Sequence, residues 1–238
     1  MSSVTHILAL ASDYDGTLAC EGEVASPTLE ALARLKASGR KLLLVTGREL
    51  DDLLAIVPDI ELFDCIVAEN GAVLYWPLSQ RIESLATPPP MQFLERLRKR
   101  GVQPLSVGRS VAATTLGHYD AVQKTIIEMG LALEIILNRD SVMVLPAGVN
   151  KATGLSTALS ELGLSAEHVV GVGDAENDEA FLMSCGFSVA VANAIPRIKQ
   201  IADLITEQEH GPGVVEVIER ILAGEPLRQL STVPDHHH

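Results

Sequence analysis

Aromatic residues are scarce in this chain of 238: four Phe, three Tyr and one Trp, 3 % in all. Its core must therefore come from Leu, Val, Ile and Ala. The scarcity also argues against stacking platforms for single-stranded nucleic acid. Basic residues are few as well, 18 against 31 acidic, for a net charge of −13. So acidic a chain is a poor partner for duplex DNA or an anionic membrane. An anionic ligand must be met by a local positive site or a bound cation. Cysteine is limited to Cys20, Cys65 and Cys185, with no CxxC pair. That pattern speaks against a disulfide frame and for a reducing, cytoplasmic setting. The apolar run Ile7 to Ala11 is too short for a signal peptide or a span, and Met1 to Thr5 has no basic region before it. What is present is ordinary for a globular protein: 47 % hydrophobic residues, enough to bury a core unaided.

Apolar runs and turn signals give the organisation. His6 to Asp13 reads as a buried strand, and Leu42 to Thr46 and Cys65 to Ala68 as two more. Between them, Ser26 as N-cap and Pro27 at the first position open a helix whose apolar face is Leu29, Leu32, Ala33 and Leu35. Leu50 to Val57 reads as a second helix, stopped by Pro58. The pattern returns late: helix Lys151 to Leu162, strand Val169 to Val172, helix Asn177 to Ser184, strand Phe187 to Val191, helix Ile195 to Ile201. A short edge strand, Asp203 to Thr206, and a helix, Gly213 to Leu222, close it. Strands apolar on both faces and alternating with helices predict an α/β fold, a Rossmann-like parallel sheet covered on both sides. The middle differs. After Thr87-Pro88-Pro89-Pro90 come a basic helix near Met91 to Arg100, a hairpin over Pro104 to Thr115 and a helix Tyr119 to Met129. Strands Leu133 to Leu137 and Val142 to Leu145 follow, joined at Asn138-Arg139-Asp140. This is a small α+β cap. The expected division is a core over 1–85 and 149–225, the inserted cap over 86–148, and a tail, linker or tag remnant over 226–238.

Four segments carry candidate chemistry, three of them where a parallel sheet places ligands, beyond its strands' carboxyl ends. Asp13-Tyr14-Asp15-Gly16-Thr17 offers two carboxylates that can divide nucleophilic from acid–base work. Thr46-Gly47-Arg48 offers a hydroxyl and backbone N–H groups to a phosphoryl oxygen. Lys151 opens a helix against the macrodipole, which makes sense if it reaches a phosphate. Gly173-Asp174-Ala175-Glu176-Asn177-Asp178 offers a hard-cation ligand, with Asn177 and Asp178 close behind. Each alone also reads as turn, cap or surface chemistry.

Taken together, their order and placement resemble the four motifs of the haloacid dehalogenase superfamily. The likeness is to its phosphatase branch, the IIB or Cof-like group, with a cap between the second and third motifs. The compact cap is similar to those of the archaeal phosphoglycolate phosphatases and the sucrose-phosphate phosphatases. The resemblance implies an Mg²⁺-dependent phosphomonoesterase acting on a small phosphorylated metabolite. Asp13 would be the nucleophile and a metal ligand, and Asp15 the acid and base, with its carbonyl on the metal. Thr46 and Lys151 would hold phosphoryl oxygens, Asp174 would ligate Mg²⁺, and Asp178 would orient the metal shell or Lys151. Gly47, Arg48, Asn70 and Asn177 are placed near the phosphate, and Arg139, then Arg109, are the cap cations expected to recognise the substrate. A phosphate-sensing domain of a longer chain and a phosphotransferase or mutase are the rival readings. A homodimer and a fused C-terminal domain stay open.

Overall fold

The computed structural model describes residues 6–57 and 59–227. Pro58, the expected stop of the second helix, lies outside them, as do Met1–Thr5 and the tail from 228 on. In chain order the elements are β1 (Ala9–Ser12), α1 (Ser26–Ala37), β2 (Lys41–Val45), α2 (Leu50–Ile56), β3 (Cys65–Ala68), β4 (Val73–Trp76) and β5 (Arg81–Ser84). Next come α3 (Met91–Lys99), β6 (Ser106–Val107), β7 (Ala112–Thr115), α4 (Tyr119–Met129), β8 (Leu133–Asn138) and β9 (Ser141–Pro146). The chain then forms α5 (Lys151–Leu162), β10 (Val169–Gly173), α6 (Glu179–Ser184), β11 (Phe187–Ala190), α7 (Pro196–Ile201), β12 (Leu204–Ile205) and α8 (His210–Ala223).

The described residues form one sheet of order β12-β11-β10-β1-β2-β3-β4-β5 and a second of order β6-β7-β9-β8. From β12 to β3 the large sheet is parallel. Every residue of β1, β3 and β10 is buried, because helices cover both faces. β1 is the switch point: the chain moves to one side through β2 and β3 and later to the other through β10. The register sets Ser12 beside both Leu44 and Val172, so the loops after β1, β2 and β10 emerge together at one edge.

Several local expectations are corrected. The N-cap of α1 is Ala25, not Ser26, whose side chain makes no capping bond. The first accepting carbonyl belongs to Ala25, and Pro27 is tolerated one position further in because its missing N–H needs no intrahelical partner there. The buried face of α1 is Thr28, Ala31, Leu32 and Leu35, an i, i+3, i+4, i+7 stripe that leaves Ala33 exposed. In α4 the buried residues are Val122, Thr125 and Ile126, and Ile127 is exposed. A single helix from Asn177 is instead a 3-10 turn, Glu176–Asp178, followed by α6. The antiparallel hairpin of β4 and β5 was not expected at all: β5 is largely exposed and carries no hydrophobic period to betray it.

The antiparallel sheet packs α3 and α4 on one face, with its own core of Phe93, Leu97, Val122, Ile126, Val142 and Val144. Alternation along β9 turns Met143 and Leu145 the other way, into the main core. The cap sheet thus presents one face to its helices and the other to the carboxyl edge of the large sheet. Among the described residues no helix is long and apolar enough to cross a membrane.

Candidate active site

Asp13 is the first residue past β1, and its N–H donates to the Val172 carbonyl at 2.9 Å. The loop then folds back beneath the β10 loop. Gly16 permits this with φ +82° and no side chain: a Cβ there would lie 2.6 Å from Asp174 Oδ2. Its carbonyl is gripped from the far end of the chain, by Asn193 Nδ2 at 2.7 Å and His210 Nδ1 at 2.9 Å. Thr17 Oγ1 donates to Asp174 Oδ1 at 2.8 Å, tying the first segment to the fourth.

Lys151 arrives from another direction. Asn150 caps α5, its side chain accepting the N–H groups of Ala152 and Thr153. The helix start docks on the 3-10 turn Glu69–Gly71 through two glycines. A Cβ on Gly71 would lie 2.0 Å from the Asn150 carbonyl, and one on Gly154 2.5 Å from Gly71 Cα. The Lys151 ammonium is buried and donates to Asp13 Oδ1 at 2.5 Å and Asp178 Oδ1 at 2.6 Å. Asp178 Oδ2 accepts the N–H groups of Asp174 at 2.8 Å and Ala175 at 3.0 Å, so it orients both Lys151 and the loop after β10.

Asp13, Asp174 and Asp178 each bring a carboxylate oxygen within 4.8 Å of the others, and all three are buried. Burial, then Asp178, pushes the Asp13 carboxyl well above the usual range, against the pull of Lys151. Burial and Asp178 also raise Asp174, while Arg139 and Thr17 hold it back. Burial would lower the Lys151 ammonium, but Asp13 and Asp178 more than offset it and hold its pKa above the ordinary value. Crowded hard oxygens with too little positive charge fit a hard divalent cation.

The remaining expected residues divide. Thr46 is buried, and its hydroxyl accepts the Arg48 N–H at 3.1 Å. Arg48 itself is spent on Asp15, with two bonds of 2.6 and 2.7 Å, and lies over the Tyr14 ring. The Asp15 carboxylate is therefore drawn to Arg48, apart from the three clustered aspartates. Asn70, in left-handed backbone at φ 52°, accepts from Asn177 Nδ2 at 2.9 Å and donates to Met143 Sδ at 2.8 Å. Asn177 Oδ1 is buried and has no protein partner. Gly47 faces both amides; a Cβ there would lie 3.3 Å from Asn70 and 3.4 Å from Asn177. Arg139, at the tip of the β8–β9 hairpin, reaches across from the cap and bonds Asp174. Arg109 does not come to the crevice: its guanidinium pairs with Asp51 of α2 at 2.9 Å on the exposed side.

A crevice of about 690 Å³ opens between core and cap, lined by Asp15, Arg48, Asn138, Arg139, Met143 and His210 among others. Sequence reasoning gave no role to Thr17, Glu69, Met143, Asn193 or His210. The Glu69 carboxylate is fully buried and accepts the cap N–H groups of Arg109 at 3.0 Å and Ser110 at 2.6 Å. A usable signal existed for Thr17, within the first motif, and for Glu69, at the end of β3. None existed for His210, which lies 194 positions from the loop it holds.

The sequence model of the haloacid dehalogenase-like hydrolases matches residues 10–104 and 120–218. Phosphoglycolate phosphatase 2 of Saccharolobus solfataricus is 33 % identical over 91 % of this chain and 93 % of its own. Phosphoglycolate phosphatase of Methanothermobacter thermautotrophicus is 30 % identical over 90 % of this chain and 98 % of its own. A haloacid dehalogenase-like hydrolase of Bacteroides thetaiotaomicron, solved by crystallography, shares the fold with a TM-score of 0.79 at 22 % identity, over 90 % and 99 % of the two chains.

Proposed function

The chain belongs to the haloacid dehalogenase-like hydrolases and is a phosphatase of that family, and on that premise we propose that it hydrolyses a small, phosphoglycolate-like phosphomonoester through an aspartyl-phosphate, with Mg²⁺ as its cation. The observation that carries this reading is the placement of Asp13. It is buried at a strand end, bonded to Lys151 and within one ligand shell of Asp174 and Asp178. Asp13, Asp174 and the Asp15 carbonyl are the groups to hold Mg²⁺, with Asp178 fixing Lys151 and the Asp174 backbone. Bound there, Mg²⁺ neutralises phosphoryl charge that an acidic protein would otherwise repel.

Asp13 attacks phosphorus, the bond to the leaving oxygen breaks, and Asp15 protonates that oxygen. Asp15 then takes a proton from water, which attacks the phosphoryl group and restores Asp13. Asp15 is engaged by Arg48, so proton delivery requires that pair to part. Thr46, Gly47, Asn70, Asn177 and Lys151 line the phosphoryl side. The cap, 86–148, closes over the core, 1–85 and 149–225, and admits a small leaving group. Arg139 is the cap cation suited to a substrate carboxylate; Arg109, spent on Asp51, is not. Unpaired cysteines support a reducing, cytoplasmic setting.

Phosphate release from 2-phosphoglycolate and p-nitrophenyl phosphate tests the reading. EDTA should silence both activities, Mg²⁺ should restore them, and Ca²⁺ should inhibit because its looser, higher coordination makes Asp13 bidentate. Asp15→Asn mixed with substrate should carry a phosphoryl adduct on the Asp13 peptide. Arg139→Ala should raise KM for phosphoglycolate and spare p-nitrophenyl phosphate. Full activity in metal-free protein, or transfer to an added alcohol in place of water, would overturn the proposal.

A further inference from the structure

We infer that Arg139 is a resident counter-ion of the cation site: its guanidinium neutralises Asp174 when no cation is bound, and cation binding drives it off, freeing it for the substrate. This rests on the phosphatase reading above and adds to it a coupling between cation loading and substrate recognition.

Asp174 is fully buried, and both its oxygens are committed, Oδ1 to Thr17 at 2.8 Å and Oδ2 to Arg139. Asp178 has no oxygen to spare, since one holds Lys151 and the other two backbone N–H groups. A cation entering among the three carboxylates therefore gains Asp174 through the oxygen that Arg139 holds, and two cations on one oxygen repel.

Charge points the same way. Three carboxylates face Lys151 and Arg139, a net charge of −1. A divalent cation added to this set makes it +1, whereas exchange for the guanidinium makes it neutral. Of the two resident cations, Arg139 is the one able to leave. The Lys151 side chain is 1 % exposed and held by two carboxylates, while that of Arg139 is 52 % exposed. Arg139 also sits on a hairpin tip in left-handed backbone, φ 51°, and its N–H reaches Glu176 Oε2 only at 3.3 Å. Its guanidinium lies against the nucleophile loop, where a Cβ on Gly16 would come within 2.9 Å of Nη2. Departure of the side chain thus uncovers that loop and turns a half-exposed counter-ion into a free donor beside the crevice.

The experiment titrates Mn²⁺ alone, without substrate, into full-length wild type, Arg139→Gln and Arg139→Lys, reading bound ion by electron paramagnetic resonance. Gln keeps the chain length and removes the charge, so it should bind Mn²⁺ roughly three- to tenfold more tightly than wild type, as expected for loss of a partly exposed pair. Lys should lie closer to wild type than Gln does. In wild type, amide hydrogen exchange at 138–141 should quicken when Mg²⁺ is added. A merely structural arginine gives no gain in metal affinity when removed. Equal or weaker Mn²⁺ binding by Arg139→Gln, or exchange at the hairpin tip that Mg²⁺ leaves unchanged, overturns the inference while the phosphatase reading stands. Failure of all three proteins to bind Mn²⁺ overturns both.

Discussion

Among the described residues Lys151 is the one lysine or arginine that is buried, and its position explains how three aspartates tolerate one another. A lone buried charge is costly, but here each carboxylate has a donor: Lys151, Arg139 or backbone N–H. Asp13→Asn should cut turnover by about 10⁴-fold or more, since it removes the proposed nucleophile. Thermal unfolding should show its stability within about 1 kcal/mol of wild type, because Lys151 keeps Asp178 and one crowded carboxylate is gone. Near wild-type turnover would end the nucleophile assignment. The raised carboxyls also give a pH signature. Asp13 and Asp174 hold protons more tightly folded than unfolded, so between the unfolded value, about 3.9, and their raised values the folded state carries more protons. Stability of the metal-free protein therefore falls as pH rises through that window. Lys151, raised in its turn, contributes stability that is lost only in alkali, so it does not mask the effect. With EDTA present, the melting temperature should fall as pH rises above the ordinary carboxylate range. The fall should be smaller in Asp13→Asn, and Mg²⁺ should flatten it. Identical profiles for the two proteins without metal would contradict the account.

At the scale of elements, the turn Glu69–Gly71 after β3 connects separate parts of the site. Its N–H groups reach the carbonyls of Arg48 and Thr46, at 3.0 Å each. Its glycine seats the start of α5, and its glutamate holds the cap loop 109–110. Gly71→Ala drives a Cβ into the Asn150 carbonyl at a φ of +98°. The N-terminus of α5 must retreat and carry Lys151 with it. Denaturant titration should show a loss of at least about 2 kcal/mol, from overpacking and left-handed strain together. The surviving protein should lose kcat more than it gains in KM. Glu69→Gln sets an NH₂ group toward cap N–H donors. It should speed amide exchange at Arg109 and Ser110 and cost about 1–3 kcal/mol. Unchanged protection of those two amides would show that the cap is held elsewhere.

For the whole molecule, charge and cavity act together. The chain is acidic at −13, yet its substrate class is anionic, so the long-range field opposes encounter and the local cations must reverse it. With Mg²⁺ saturating, added KCl should therefore raise kcat/KM for phosphoglycolate, because the Debye length shrinks from about 30 Å at 0.01 M to about 8 Å at 0.15 M. A falling kcat/KM under those conditions would mean that the crevice attracts anions at long range. A crevice of about 690 Å³ suits the small leaving group of the proposed reaction.

The parallel sheet was legible because its strands are apolar on both faces, as Leu42 to Val45 and Val169 to Val172 are, and that pattern survives without tertiary context. Asp13, Thr46 and Asp174 were legible because a strand end is a local feature and ligands gather there. The sequence alone therefore determined the α/β core, the inserted cap and the strand-end places of the candidate residues. What needed the tertiary structure was every pairing between distant segments. The partners of Arg48, Arg139 and Arg109 are Asp15, Asp174 and Asp51, and no spacing in the sequence assigns one arginine to one aspartate. The grip of His210 and Asn193 on Gly16 joins chain ends that no periodicity relates. In the hairpin that completes the sheet edge β4 is buried, but its partner β5 is too exposed to show a pattern. Periodicity records which face of an element is buried, a one-body property of each segment. Which cation meets which carboxylate is a two-body property, decided only when the packed elements bring them within bonding distance.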